Sequence, residues 1–150
     1  MKDNFMRDEV VREQVVLLHT NLDDMTGEAL GFAQDMIREC GALDVYTTPI
    51  YMKKNRPAVQ LSCICREETR EACVDAFLRY TTTLGVRVER MERYVLPRRI
   101  TTRSTEAGDI TVKEASYKGN VKRKAEYEDL RRIALQGRIS LEEAERYLKE

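Results

Sequence analysis

The sequence is short of histidine, of charge of one sign and of long apolar runs, and each shortage removes a class of function. Its one histidine, His19, cannot make a histidine-rich transition-metal site, and no Ser-His-Asp or Cys-His arrangement is indicated. The 26 basic and 26 acidic side chains cancel, whereas a dedicated nucleic-acid binder carries a strong basic excess. No stretch approaches the roughly 18 consecutive apolar residues of a membrane helix. The first twelve residues are polar and mixed in charge, without a signal-peptide apolar region. These absences predict a soluble, cytoplasmic protein with neither a membrane nor a nucleic acid as partner. The four cysteines, Cys40, Cys63, Cys65 and Cys73, contain no C-x-x-C pair and no zinc spacing. Cys63 and Cys65 share one face of a strand-like run, and Cys40 and Cys73 fall on apolar helix faces, so all four read as small buried hydrophobes.

With 150 residues, the size of one ordinary domain, the chain can bury a sizeable core. Residues 1–12 read as a charged lead-in. Gln14 to Thr20 reads as a strand around the apolar run Val15-Val16-Leu17-Leu18. A helix follows from about Thr26 to Cys40, with Leu30, Ala33, Met36, Ile37 and Cys40 on one face and Gly41 placed to end it. Leu43 to Met52 is rich in strand formers, and Pro49 inside it marks an edge or a break. Val59, Leu61, Cys63 and Cys65 alternate as in a strand. Ala72, Cys73, Ala76, Phe77 and Tyr80 share a helix face, and a further strand begins at Val86 and Val88. Strand, helix, strand, strand, helix, strand is the ferredoxin-like split arrangement, an α+β fold with an antiparallel sheet and both helices on one face, assigned to residues 13–98. Residues 99–150 read as an extension: a hairpin of Ile100 to Thr105 and Ile110 to Tyr117, then a helix pair. The first of these helices puts Tyr127, Leu130, Ile133 and Ala134 inward and closes at Gly137. The second starts at a Ser140–Glu143 capping box with Leu141, Ala144, Tyr147 and Leu148 inward.

Three polar constellations stand at the joints of this pattern. Asp23, Asp24 and Thr26 sit where the first strand hands over to the first helix; each can cap the helix, and the two aspartates can instead contact a metal or substrate. Lys53-Lys54-Asn55-Arg56-Pro57 puts three cations in one turn, either a grip for a phosphate chain or a solvated turn guarding an edge strand. Thr81-Thr82-Thr83-Leu84-Gly85-Val86-Arg87 offers hydroxyls, a flexible glycine and a guanidinium, either as an anion-binding nest or as a plain helix-to-strand turn.

These same blocks carry a resemblance. Thr20 to Thr26, Gly41 to Val45, Thr48 to Pro57, Thr81 to Arg87, Tyr117-Lys118 and Glu126 to Asp129, in that order, closely resemble the C-terminal part of the LarC family of nickel insertion proteins. The resemblance implies the nucleotide-binding part of a cytidine-triphosphate-dependent enzyme, a metal-chelatase-type lyase. Such an enzyme puts nickel, its substrate, into pyridinium-3,5-bisthiocarboxylic acid mononucleotide. The product is the nickel-pincer cofactor of lactate racemase, with release of cytidine monophosphate and pyrophosphate. It also implies manganese or magnesium on the triphosphate, work alongside the family's N-terminal domain, and assembly as a homo-trimer or hexamer. Carried onto these positions, Asp23 and Asp24 become candidate ligands of the divalent ion, and Lys53, Lys54, Arg56, Thr82, Thr83, Arg87 and Lys118 candidate contacts to the nucleotide. The rival reading is a non-catalytic ferredoxin-like module that oligomerises and binds a small ligand. An RNA-binding module is disfavoured because the third strand carries Val59, Leu61, Cys63 and Cys65 in place of stacking aromatics.

Overall fold

A computed structural model describes residues 10–148, so most of the expected lead-in, residues 1–9, lies outside the described residues. The chain divides into two compact units, one spanning Arg12–Arg93 and the other continuing from Tyr94.

In the first unit the strands are β1 (Val11–Leu22), β2 (Asp44–Met52), β3 (Arg56–Cys65) and β4 (Arg87–Val95). The helices are α1 (Gly27–Glu39) and α2 (Arg70–Tyr80). The sheet order is β2-β3-β1-β4, the ferredoxin-like order. β3 pairs antiparallel with both neighbours, setting Cys63 opposite Leu18 of β1 and Val45 of β2. Pro49 is tolerated because β2 is an edge strand. Alternation sends Val16, Leu18 and Leu22 of β1 and Leu61, Cys63 and Cys65 of β3 to one face. There they pack against Ile37 of α1 and Cys73, Ala76 and Phe77 of α2 in a single core. Burial pushes the thiols of Cys63 and Cys73 up from the ordinary thiol range and that of Cys65 up to about 11, so all three are neutral.

The second unit holds β5 (Arg98–Thr105), β6 (Gly108–Tyr117), β7 (Asn120–Ala125), α3 (Tyr127–Gly137) and α4 (Leu141–Arg146). The expected hairpin is there, but it belongs to a three-stranded antiparallel sheet in the order β5-β6-β7. β7 has no apolar alternation to announce it, since only Ala125 is buried. What makes it is the turn: Lys118 and Gly119 both have positive φ (48° and 80°), the geometry of a two-residue hairpin. The core of this unit is Ile110, Val112, Ala125, Leu130, Ile133 and Ala144. Tyr127 and Leu141, expected inward, are largely exposed. Each is the first residue of its helix, and packing begins one turn later at Leu130 and Ala144. The left-handed residue after α3 is Arg138 (φ 52°) rather than Gly137. The Ser140–Glu143 capping box forms as expected. None of the described helices is long and apolar enough to cross a membrane.

Candidate functional site

Antiparallel pairing decides where the polar blocks go. β3 and β4 start where β1 ends, so the β1–α1 junction, the Lys53–Pro57 turn and the Thr81–Val86 loop converge at one end of the first sheet.

At the junction, Thr26 is the cap: its hydroxyl accepts from the backbone N–H of Ala29 at 3.2 Å. Neither Asp23 nor Asp24 caps α1; each reaches a side chain from another block. Asp23, with 24% of its side chain exposed, meets Arg56, Nη1 to Oδ2 at 3.4 Å. Asp24 Oδ1 accepts from the Thr82 hydroxyl at 2.5 Å. Three of the six quoted blocks are thereby tied together through their own polar side chains.

The Thr81–Gly85 loop is braced from within. The Thr81 hydroxyl donates to the Phe77 carbonyl at 2.7 Å and accepts from the Thr83 N–H at 3.2 Å. The Thr83 hydroxyl donates to the Gly85 carbonyl at 2.7 Å and lies 2.5 Å from the hydroxyl of Thr20, a buried residue of β1. The N–H of Thr81 donates to the Phe77 carbonyl of α2, and those of Thr83 and Gly85 to hydroxyls of the loop itself. The loop therefore presents side chains, the Thr82 hydroxyl first, rather than a run of successive amides.

Beside it, on the sheet face away from the helices, the Arg87 guanidinium donates to Asn21 Oδ1 at 2.8 Å, which also accepts from Gln60 at 3.0 Å. The same Arg87 nitrogen lies 3.3 Å from His19 Nδ1, and His19 Nε2 lies 3.0 Å from Glu89. An arginine can only donate, so a hydrogen bond from Arg87 would take the tautomer with the proton on Nε2, facing Glu89. His19, Thr20, Asn21, Gln60 and Glu89 were not among the expected site residues. The signal in the sequence is the alternation of β1, which puts His19 and Asn21 on the face opposite Leu18 and Leu22; that Asn21 faces Gln60 and His19 faces Ser62 is set by the register of β1 and β3.

Of the remaining candidates, Lys53 and Lys54 are exposed in the turn before β3. Lys54 and Asn55 both adopt left-handed backbone, φ 60° and 56°. Among the described residues neither lysine has a hydrogen-bonding or ionic partner. Lys118 belongs to the second unit, at the β6–β7 turn, with its Nζ 5.3 Å from the centre of the Tyr117 ring. Next to Asp23 a cavity of about 310 Å³ has walls that include Met25, Leu30, Pro57 and Val59. That places it at the small end of ligand pockets, which run from roughly 300 Å³.

The carboxylate and hydroxyl oxygens of Asp23, Asp24 and Thr82, with Arg56 paired to Asp23, are donor types that suit a hard divalent ion carrying phosphate. By fold, then, this is a ferredoxin-like domain with a second α+β unit, carrying acidic and basic side chains where three loops meet. A solved structure described as LarC2, the C-terminal domain of a cyclometallase involved in synthesis of the NPN cofactor of lactate racemase, in its apo form, shares that fold. Its TM-score is 0.86 over 92% of this chain and 96% of that one, with 35% sequence identity. A protein of Methanopyrus kandleri aligns with a TM-score of 0.62 at 25% identity, covering 89% of this chain and 85% of its own. The pyridinium-3,5-bisthiocarboxylic acid mononucleotide nickel insertion protein of Acetivibrio thermocellus is 44% identical over 138 residues, 92% of this chain and 34% of the relative. The sequence profile of the nickel insertion protein family matches residues 5–145, and the chain belongs to that family. It spans about a third of the length of the curated relatives it matches.

Proposed function

We propose that this chain is the nucleotide-binding part of a cytidine-triphosphate-dependent nickel insertion enzyme, a metal-chelatase-type lyase of the cytoplasm. It acts with the family's N-terminal domain, as a homo-trimer or hexamer, to make the nickel-pincer cofactor from pyridinium-3,5-bisthiocarboxylic acid mononucleotide. Nickel is the substrate metal. Residues 13–98 form the ferredoxin-like domain that holds the nucleotide, and residues 99–150 are its extension.

The observation that carries this reading is the capping of α1 by Thr26. It leaves two adjacent carboxylates, Asp23 and Asp24, with no helix to serve, at the meeting point of three loops. Asp23 and Asp24 would hold the divalent ion of the nucleotide. That ion would neutralise phosphate charge. Arg56 and Arg87 are held by Asp23 and Asn21, so their guanidinium groups are already placed before a phosphate arrives. Lys53 and Lys54 are free to close on the outer oxygens. Thr82 and Thr83 shape the loop, and Lys118 is assigned to the nucleotide on the match of its block alone.

The test is titration calorimetry with the four nucleoside triphosphates, with and without manganese, on the chain and on Asp23→Asn and Asp24→Asn. Asn keeps the hydrogen-bonding shape but removes the charge a hard cation prefers. The expected outcome is manganese-dependent cytidine triphosphate binding, weakened at least tenfold in one or both variants, with melting temperatures changed little. Full metal-dependent affinity in both variants would remove the carboxylates from the site.

A further inference from the structure

The core of the first unit contains a cluster that the nucleotide site does not use. Cys63 and Cys65 stand two apart on β3, so their side chains leave the same face of the central sheet. Cys73 lies in the first turn of α2 and comes down onto that face. All three are 0% exposed, and their sulfur atoms all lie within 4.8 Å of one another. None is in a disulfide. Hydrophobic packing alone needs cysteines to be buried, but it does not need three of them to aim at one point.

We propose that Cys63, Cys65 and Cys73 form a closed three-sulfur site for a trivalent thiophilic metalloid of the arsenous acid class. Geometry gives the number of ligands, and charge selects among soft ions. Three sulfur ligands suit thiophilic ions in general. Three thiolates around a monovalent ion would leave two net negative charges in the core, and around a divalent ion one. A buried charge is stable only when paired. The charged side chain that acts on Cys65, Glu67, is negative, and the cations beside it, Arg70 and Arg90, are already engaged by its own carboxylate. A trivalent centre leaves the cluster neutral. Arsenous acid, As(OH)3, reacts with three neutral thiols: three As–O and three S–H bonds break, three As–S bonds form, and three waters leave. Arsenic stays trivalent throughout, so no oxidant or reductant is needed. The product joins β3 to α2 across the core, a covalent link in addition to the short connection between Cys65 and Arg70.

Since all three sulfurs are buried, entry requires a transient opening of α2, and the test has to allow for one. The fully reduced chain is incubated with arsenite through brief pulses of mild denaturant, then refolded and desalted. X-ray absorption at the arsenic edge counts sulfur and oxygen neighbours, and thiols are titrated after unfolding. Expected are one arsenic per chain with three sulfur neighbours and no oxygen, three of the four thiols blocked, and a raised melting temperature. Cys40→Ala should keep the arsenic, its three sulfur neighbours and the raised melting temperature, with all three remaining thiols blocked, and Cys73→Ala should fall to two sulfurs with a retained oxygen. Four results would overturn the proposal: no arsenic retained after refolding, a two-sulfur environment in the unaltered chain, cadmium displacing arsenic at equal concentration, or unchanged binding in Cys73→Ala. If Cys73→Ala does not fold, the sulfur count in the unaltered chain decides alone, since three ligands can come from no other set once Cys40→Ala retains them.

Discussion

At the scale of single residues, the junction after β1 separates roles that share a chemistry. Asp23, Asp24 and Thr26 are all good caps, yet only Thr26 stands where its oxygen meets the N–H of Ala29. Removing that oxygen with Thr26→Ala should cost about 1 kcal/mol, the usual value of such a cap, read as a lower urea midpoint with an unchanged slope. It should leave manganese-dependent nucleotide affinity within about twofold, the opposite pattern to that expected for the two aspartates. A second residue-scale feature is Arg138, held at φ 52° to end α3. Left-handed backbone costs a residue with a Cβ about 1 kcal/mol, while glycine adopts it freely. Arg138→Gly should therefore stabilise the chain by about 0.5 kcal/mol, after allowing for the looser unfolded state, as a small rise in melting temperature. A fall would mean that the arginine side chain holds something there.

At the scale of elements, the second sheet is tied by charge where its strands lack apolar residues. Glu114 of β6 is 5% exposed and lies between Arg99 of β5 and Arg123 of β7, at 2.8 Å from each. The Arg123 and then the Arg99 hydrogen bonds hold its carboxyl below the usual glutamate range. The unfolded chain therefore takes up a proton at a higher pH than the folded one. The stability this provides is complete above the ordinary glutamate value, about 4.3, and is lost as pH falls through the lower folded value. Both arginines are about half exposed, so the loss is smaller than for a fully buried pair, about 1–2 kcal/mol. Glu114→Gln should remove that much stability at pH 7 and flatten the acid limb of the melting temperature against pH. An acid limb as steep as in the unaltered chain would place the titrating group elsewhere.

At the scale of the molecule, the cations of the candidate site come from two chain-distant segments, the Lys53–Arg56 turn and the start of β4. A longer phosphate chain can meet more of them. Lys54→Ala and Arg56→Ala should each weaken triphosphate binding by roughly tenfold, the lower range for a charge-assisted contact at an exposed position, and monophosphate binding by less. Equal losses for the two nucleotides would argue against a triphosphate grip. Added salt should narrow the difference, because these side chains are solvent-exposed.

The sequence by itself determined the elements of the first unit and their order. Apolar residues at period two and at helical spacing can be buried on one face in only one way. It also marked the turns where polar residues collect and, through contiguous blocks in order, the family. It did not mark β7, where Lys122-Arg123-Lys124 reads as a charged run. That strand is made by the left-handed Lys118-Gly119 turn and by backbone pairing to β6, neither of which leaves an apolar pattern. Nor did it say which of three capping residues caps. Only the tertiary structure decided that Asp24 meets Thr82, 58 positions away, that Arg87 is held by Asn21, and that three cysteines share one point in the core. The physical reason is the same in each case. Local pattern sets which face a residue presents, but the meeting of side chains distant in the chain is set by strand order and register, and these follow from packing the whole sheet.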